Sequence, residues 1–512
     1  MMIFGLYFFS LLLLPLIHAQ DSPSSTRRIW AEKQKKTLQL PSRGAIAALE
    51  KELKEILARK PFRFVRLGFV LREPGDPKPL LSHNGSMGFM TASNMKLISS
   101  ATALEVLGPK HRFSTQFVAL GKQKGKVWDG DLEIIGSGDP TFGARAFCKK
   151  SVTEVFDGLI LALKRRGISE IRGDILGVDD VQPDEIMGLG WDWSYHADWY
   201  AAQVSGLCFN ENCLDFLFSG KELGKPLEFR MEPDTSYVTV LNRTRVVPAG
   251  QAFEVFFHRG LGTNVITLSG TFPLGKKKKR DWASVENPTG FCASVCKESL
   301  ERAGIRVAGK ARDRDELEGY KESLSKTVLE THLSPPLAEI VFSLNKRSQN
   351  LYAEQLVRMA GKARGGDGSM VDARRTVIEV LNRLGVSTKQ FFMADGSGLS
   401  RLNLVKPKLL AALLAGMWKS KNRKTFFRSL PIGGKDGTLR RRFPLGHPGY
   451  LRVHAKTGYI SKVIALSGYI TRKGKEPLVF SILVNDFFAS NAKILKGVDD
   501  LVAAICRLSG EG

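Results

Sequence analysis

Three short motifs, far apart in the sequence, constrain the fold of this chain more than any other feature. S-x-x-K begins at Ser93 and ends at Lys96, S-x-N runs from Ser348 to Asn350, and K-T-G begins at Lys456. The local pattern predicts the first motif at the start of a helix, the second before a helix and the third within a late strand. A fold that uses all three motifs must bring distant segments together around one site.

Each motif contains residue types that suit nucleophilic catalysis. Residues three apart on a helix share one face, so Lys96 can lie within reach of the Ser93 hydroxyl. Desolvation and a neighbouring cation would lower the pKa of this lysine, and its neutral amine could then accept the serine proton. In a strand, the main chain can bind a substrate backbone, Gly458 permits close approach, and Lys456 adds positive charge.

The two ends of the chain predict parts of the same sheet. Residues 45–71 have the pattern of a helix followed by a strand, and strand patterns return between 451 and 484. Between 113 and 311, short strand-like runs alternate with Gly and Pro turns. Because the first strand lacks a sheet of its own, we expect it to pair with the last strands. The chain would then be one α+β domain split by an insertion.

The ordered trio of motifs resembles that of the penicilloyl serine transferases, the β-lactamases and penicillin-binding proteins. The long gap after the first motif resembles the class C low-molecular-mass penicillin-binding proteins, the D-alanyl-D-alanine carboxypeptidase/endopeptidase family. Further stretches look like the same family, at 136–141 (G-S-G-D-P-T), 303–309 (A-G-I-R-V-A-G), 394–401 (A-D-G-S-G-L-S-R) and 434–439 (G-K-D-G-T-L). The resemblance covers residues 45–505.

This resemblance implies an α+β fold: a DD-peptidase/β-lactamase-like domain with an antiparallel sheet flanked by helices, split by a large, mainly β insertion of one or two subdomains. We expect a signal peptide at 1–20 and the first part of the transpeptidase-like catalytic domain at 21–112. The insertion would occupy 113–311, and the second part of the catalytic domain 312–512.

The resemblance also implies the catalytic residues. Ser93 would attack the carbonyl between two D-alanines and form an acyl-enzyme, with Lys96 as general base. Ser348 would relay a proton toward the leaving amine, and Lys456 would poise this serine electrostatically. Asn350 would hold Lys96 and the substrate amide.

Substrate binding is expected from five further residues, Thr457, Gly458, Tyr459, Arg401 and Asp198. Thr457 would bind the terminal carboxylate, and the N–H of Tyr459, with that of the nucleophile, would hold the oxyanion. Arg401 is a second candidate for reading substrate charge, because its guanidinium suits carboxylates.

Two positions depart from the family pattern. Gln349 stands in the second motif where Asp is common. In the insertion, the family often has an acidic residue after a Trp-x-Trp stretch; Tyr195 aligns with it, and Asp198 follows one turn later. The second departure leaves the side-chain preference of the substrate open.

The N-terminus and the charge predict where the protein works. Residues 1–20 resemble a secretory signal peptide, so we expect export to the periplasm or cell envelope. The net charge of +25 favours an anionic partner, such as a membrane surface or wall polymer, and export argues against nucleic acid. Cysteine spacing predicts no metal site, no cofactor is implied, and Cys208–Cys213 or Cys292–Cys296 could form a disulfide.

The predicted function is therefore an exported serine D-alanyl-D-alanine carboxypeptidase or endopeptidase that acts on peptidoglycan stem peptides and is inhibited by β-lactams. One alternative is a β-lactamase or esterase on the same fold, which would need a base that activates water. Another is a non-enzymatic wall-binding protein, for which the intact motifs would be unnecessary. The sequence leaves the balance of carboxypeptidase and endopeptidase activity open.

Overall fold

The computed structural model of the protein describes residues 41–320 and 325–508. Within them the α-helices are α1 (Arg43–Ala58), α2 (Met95–Val106), α3 (Asp157–Arg165), α4 (Pro288–Arg302), α5 (Leu337–Arg347), α6 (Asn350–Lys362), α7 (Met370–Arg383), α8 (Pro407–Lys419), α9 (Arg423–Ser429) and α10 (Asn491–Arg507). The strands are β1 (Arg66–Arg72), β2 (Leu81–His83), β3 (Ser114–Leu120), β4 (Lys122–Lys124), β5 (Val127–Asp129), β6 (Leu132–Ile135), β7 (Glu170–Ile171), β8 (Ile175–Val178), β9 (Cys213–Ser219), β10 (Glu228–Glu232), β11 (Thr239–Val247), β12 (Glu254–Arg259), β13 (Val265–Pro273), β14 (Lys279–Ser284), β15 (Arg306–Val307), β16 (Ala311–Asp313), β17 (Lys326–Leu333), β18 (Val453–Ile460), β19 (Val463–Arg472) and β20 (Lys475–Asn485).

Strands from the two ends of the chain form one antiparallel sheet, in the order β18-β19-β20-β1-β2. Successive side chains of β1 point to opposite faces, and both faces are covered. Phe69 packs in a core with α1 and α10, whereas Val70 packs in a core with α2 and α5–α8. The predicted pairing of the first strand with the last strands, and the α+β class, are confirmed.

The segment between α2 and α5 forms four further sheets, and its described residues contain two α-helices, α3 and α4. Its core is rich in phenylalanine; Phe142, for example, packs edge-on against Phe156 with 5.8 Å between ring centroids. β17 pairs antiparallel with β3 of this segment. We therefore propose that the insertion continues to residue 333, beyond the predicted end at 311.

The structure also bears on the N-terminal segment, on membrane-spanning helices and on the cysteines. The predicted signal peptide, at 1–20, lies outside the described residues. Among residues 41–320 and 325–508, no helix combines the length and the apolar character needed to cross a membrane. The six cysteines are free thiols, so neither of the two possible disulfides is formed.

Candidate active site

The first motif places Ser93 and Lys96 on the same side of a helix start. Ser93 lies in a short 3-10 turn, Ala92–Asn94, which leads directly into α2. The Lys96 side chain is completely buried, and its Nζ donates to Ser93 Oγ at 2.9 Å. The same amine donates to Asn350 Oδ1 at 2.6 Å and to the Ser397 carbonyl at 2.7 Å. Two further oxygen atoms, from Asn350 and Ser397, thus hold the amine against the Ser93 hydroxyl.

Burial changes the chemistry of this amine. Desolvation lowers the pKa of Lys96 to about 7, although the charges of Asp395 and Glu354 oppose this shift. A lysine in water is almost fully protonated at neutral pH, whereas Lys96 has a large neutral fraction there. Its lone pair can therefore accept a proton from Ser93 Oγ, as a general base must do.

The second motif meets the first at the turn between α5 and α6. Ser348 ends α5 in the left-handed conformation, with φ of 64°, and Asn350 begins α6. Asn350 Oδ1 accepts from Lys96, while its Nδ2 donates to the Tyr200 carbonyl at 2.6 Å. The amide of Asn350 therefore connects the Lys96 amine to the insertion.

The third motif lies on β18, at the edge of the terminal sheet. Lys456 is completely buried, and its Nζ donates to Ser348 Oγ at 2.8 Å. Burial and the nearby Lys96 amine both lower the pKa of Lys456. A Cβ on Gly458 would lie 2.7 Å from the Thr91 carbonyl oxygen and 3.1 Å from the backbone nitrogen of Ser93. Only glycine allows this strand to approach the nucleophile so closely.

A cavity of about 340 Å³ is lined by Ser93, Ser348 and Asn350. Thr457, on the strand that borders it, has its hydroxyl 2.7 Å from that of Thr438. The insertion contributes one wall of the cavity, with Tyr195, Trp199 and Tyr200, and the strand side contributes Tyr459, Ile460 and Ser461. The arrangement can bind an extended peptide between the edge strand and the insertion while presenting Ser93 to its carbonyl.

Sequence reasoning missed one buried carboxylate behind the site. Glu354 accepts from the backbone N–H groups of Gly396 at 2.9 Å and Ser397 at 2.8 Å, and so fixes the carbonyl that holds Lys96. Burial and the charge of Asp395 raise the pKa of Glu354. The signal for its role was its position one turn after Asn350, on the same face of α6.

Asp395 organises the same loop. Its carboxylate accepts from the N–H groups of Gly398 and Ser400, from Asn403 Nδ2 and from Trp191 Nε1. Gly398 has φ of +85°, and a Cβ there would overlap the carbonyl oxygen of Ala92, next to the nucleophile. The loop therefore packs against the 3-10 turn that carries Ser93.

Two expected substrate-binding residues point elsewhere. Arg401 is exposed, and its Nη1 donates to the Ser461 carbonyl at 2.8 Å, at the rim of the cavity. Asp198 accepts from the Tyr200 hydroxyl at 2.6 Å and does not line the cavity, whereas Tyr195 does. Their roles in reading substrate charge stay predictions.

Comparison with known proteins places this geometry in a family. The model of the D-Ala-D-Ala carboxypeptidase 3 (S13) family matches residues 49–505. The chain belongs to this family. The predicted family, and with it the class of serine-type peptidase, is confirmed.

Individual relatives match this chain in sequence over most of their length. The D-alanyl-D-alanine carboxypeptidase of Actinomadura sp. (strain R39) is 30% identical over 458 residues, which are 87% of this chain and 82% of the relative. The D-alanyl-D-alanine carboxypeptidase DacB of Haemophilus influenzae is 26% identical over 432 residues, 82% of this chain and 85% of the relative. The crystal structure of penicillin binding protein 4 (dacB) from Haemophilus influenzae has a TM-score of 0.74 and 23% identity, and covers 90% of this chain and 99% of that one. The last likeness establishes the shared fold.

Proposed function

We propose that this S13 protein is an exported D-alanyl-D-alanine peptidase that cleaves peptidoglycan stem peptides through an acyl-enzyme on Ser93. One observation carries the proposal: the fully buried Lys96 amine, with a pKa lowered to about 7, lies within hydrogen-bond distance of Ser93 Oγ, at 2.9 Å. A surface lysine of ordinary pKa could not serve this serine as a base at neutral pH.

The acylation step follows from these contacts. Ser93 Oγ attacks the carbonyl carbon of the penultimate D-alanine, and its proton passes to the neutral Nζ of Lys96. The N–H groups of Ser93 and Tyr459 would hold the resulting oxyanion. The C–N bond then breaks as Ser348 gives its hydroxyl proton to the leaving amine. Ser348 regains a proton from the protonated Lys96, and Lys456 stabilises the negative charge that develops on the Ser348 hydroxyl during this relay.

Two further groups would orient the substrate. Thr457, held by Thr438, would bind the terminal carboxylate of the leaving residue. The main chain of β18 offers hydrogen bonds to the stem peptide along the sheet edge. Water then attacks the acyl-enzyme, and the proton transfers run in reverse to release the shortened peptide.

β-Lactams present a reactive amide in a similar geometry and would acylate the same serine.

Export to the cell envelope is part of the proposal, supported by the apolar residues 1–20 and by the location of the substrate. The excess of 76 Lys and Arg over 51 Asp and Glu would favour contact with anionic membrane or wall polymers.

The test is penicillin labelling of the mature protein, read by intact mass and peptide mapping, beside Ser93→Ala. We expect one stable penicilloyl adduct on Ser93 and none on the variant, together with D-alanine release from a pentapeptide. Rapid β-lactam turnover without an adduct would favour the β-lactamase alternative. Neither adduct nor turnover would favour the wall-binding alternative.

A further inference from the structure

A second opening, a groove of about 530 Å³, lies outside the catalytic cavity, between α5 and α9. Its base is apolar, with Phe342 of α5, which is 47% exposed, and Phe147 of the insertion. We call it the α5–α9 groove. A half-exposed phenylalanine beside an open groove is a surface on which the apolar part of a ligand can pack.

The polar lining of the α5–α9 groove is strongly basic. Lys346, Arg347, Lys424 and Arg428 line it, against the single carboxylate of Glu339. Lys346 is paired with Asp436, and Arg347 lies 3.6 Å from a carboxylate oxygen of the insertion. Among the described residues, Lys424 and Arg428 have neither an ion pair nor a side-chain hydrogen bond, and both are exposed. The groove therefore offers two uncompensated cations above an apolar base, which suits an anionic ligand with an aliphatic backbone.

The position of the α5–α9 groove relates it to the leaving group. Lys346 and Arg347 directly precede Ser348, the residue proposed to protonate the leaving amine. Lys346 Nζ also donates to Asp436 at 2.7 Å, just before the turn Gly437–Leu439. This turn carries Thr438, whose hydroxyl meets that of Thr457. Lys346 thus connects the groove to Ser348 along the chain and, through Asp436, to the turn that carries Thr438.

The size of that departing part differs between the two reactions of a D-alanyl peptidase. In carboxypeptidase cleavage it is one D-alanine, which the carboxylate site at Thr457 accommodates. In cleavage of a cross-link, the leaving amine belongs to a second stem peptide, which carries several carboxylates. This longer leaving group must continue past Ser348 and outward over the protein surface.

We propose that the α5–α9 groove binds the leaving stem peptide of cross-linked peptidoglycan, with its carboxylates on Lys424 and Arg428. The inference rests on the proposed function and deepens it, because it gives the leaving stem peptide a binding surface on this chain. Charge pairs at an exposed groove contribute modestly to affinity but direct the approach of the ligand. The groove therefore selects cross-linked over monomeric substrate without taking part in the chemistry.

The experiment compares two substrates in two double variants. The groove variant is Lys424→Glu with Arg428→Glu, and the matched control is Lys419→Glu with Lys421→Glu, two exposed lysines on the neighbouring segment that do not line the groove. Both variants change the net charge equally. We measure kcat/KM for a cross-linked muropeptide dimer and for a monomeric pentapeptide, together with the rate of penicillin acylation of Ser93.

We expect the groove variant to lose about tenfold in kcat/KM on the dimer at low salt, with the pentapeptide and penicillin rates within about twofold of wild type. The control should keep both substrates near the wild-type rate. Equal losses on both substrates, no loss on the dimer, or a wild-type protein that cannot cleave the dimer would each overturn the groove assignment. Absence of penicillin acylation in the wild type would instead overturn the proposed function itself.

Discussion

The two sides of the catalytic cavity are built differently. We call the inner wall Ser93, Ser348 and Asn350, which line the cavity, together with Lys96 and Lys456, which are buried behind them. Both of its lysines are completely buried, and each donates to a serine hydroxyl. The insertion wall, formed by Tyr195, Trp199 and Tyr200, is only partly buried. The proposed proton transfers therefore lie on the side of the cavity where burial shifts the pKa values of the lysines. The partly exposed aromatic side chains on the opposite side can adjust to the substrate.

The two walls are connected at two places next to the second motif. Asn350 donates to the Tyr200 carbonyl at 2.6 Å. Glu211 of the insertion accepts from Gln349 and, at 2.9 Å, from the Tyr352 hydroxyl. An unusual glutamine in the motif thus has a defined partner in the insertion. The insertion therefore positions the second motif, while the proposed chemistry belongs to the inner wall.

The sharpest test of the inner wall is Lys96→Met, which keeps an aliphatic side chain but removes the amine. Loss of a general base should lower the rate of penicillin acylation by about 10²–10⁴-fold, measured by stopped-flow or quenched mass spectrometry. Lys362→Met, at an exposed lysine of α6, is the matched control and should leave the rate unchanged. A loss of less than tenfold for Lys96→Met would show that another group accepts the proton.

The loop behind the inner wall predicts the next largest effect, for Gly398→Ala. The new Cβ would need positive φ and would overlap the Ala92 carbonyl, so we expect destabilisation by about 3 kcal/mol and slower acylation. Gly385→Ala has φ of +75° but open space around it, so it should cost only about 1 kcal/mol. Denaturant unfolding measures both. Equal costs would mean that the close approach to Ala92 contributes nothing.

The lowered pKa of Lys96 predicts a pH profile. Protonated Lys96 cannot accept the serine proton, so the acylation rate is maintained above pH 7 and is lost as pH falls. Below about pH 7 we expect a fall of about tenfold per pH unit in the penicillin acylation rate. A profile that stays flat between pH 8 and pH 5 would contradict a neutral lysine as the base.

The contact between the walls predicts a smaller effect, for Glu211→Gln. The variant keeps the shape but removes the charge that Gln349 and Tyr352 contact, so the second motif should be held less firmly. We expect about a fivefold lower acylation rate, with the pH at half-maximal rate unchanged because the base is untouched. Glu222→Gln, at an exposed position of the insertion, should have no effect. A shifted pH profile would mean that Glu211 acts on Lys96 and is not only a positioning residue.

The smallest effect is expected at the cavity rim, for Arg401→Ala. Because Arg401 is exposed and donates to the Ser461 carbonyl, its loss should change kcat/KM on a pentapeptide by less than about threefold. A loss above tenfold that disappears for a substrate without a terminal carboxylate would assign the reading of substrate charge to Arg401.

Much of the site could be predicted because its parts are local in sequence. Ser93 and Lys96 are three residues apart on a predicted helix, so their proximity follows from helical geometry alone. Thr438 and the Tyr200 carbonyl could not be assigned in this way. Each acts through a contact with a residue far away in the chain, and such contacts depend on how the sheet and the insertion pack. Asp198 shows the limit of residue type alone. It was expected to bind substrate, but its carboxylate accepts from the Tyr200 hydroxyl and does not line the cavity.

The sequence by itself determined the three motifs, their order and the family resemblance, because these depend on residue type and spacing. It also predicted the pairing of the first strand with the last ones, because the first strand had no other sheet to join. Only the tertiary structure decided that Lys96 is completely buried, that Lys456 contacts Ser348 and that the insertion bonds to Asn350 and Gln349. The reason is physical. The pKa of an amine and the orientation of a hydroxyl depend on the atoms around them, and those atoms come from segments that only folding brings together.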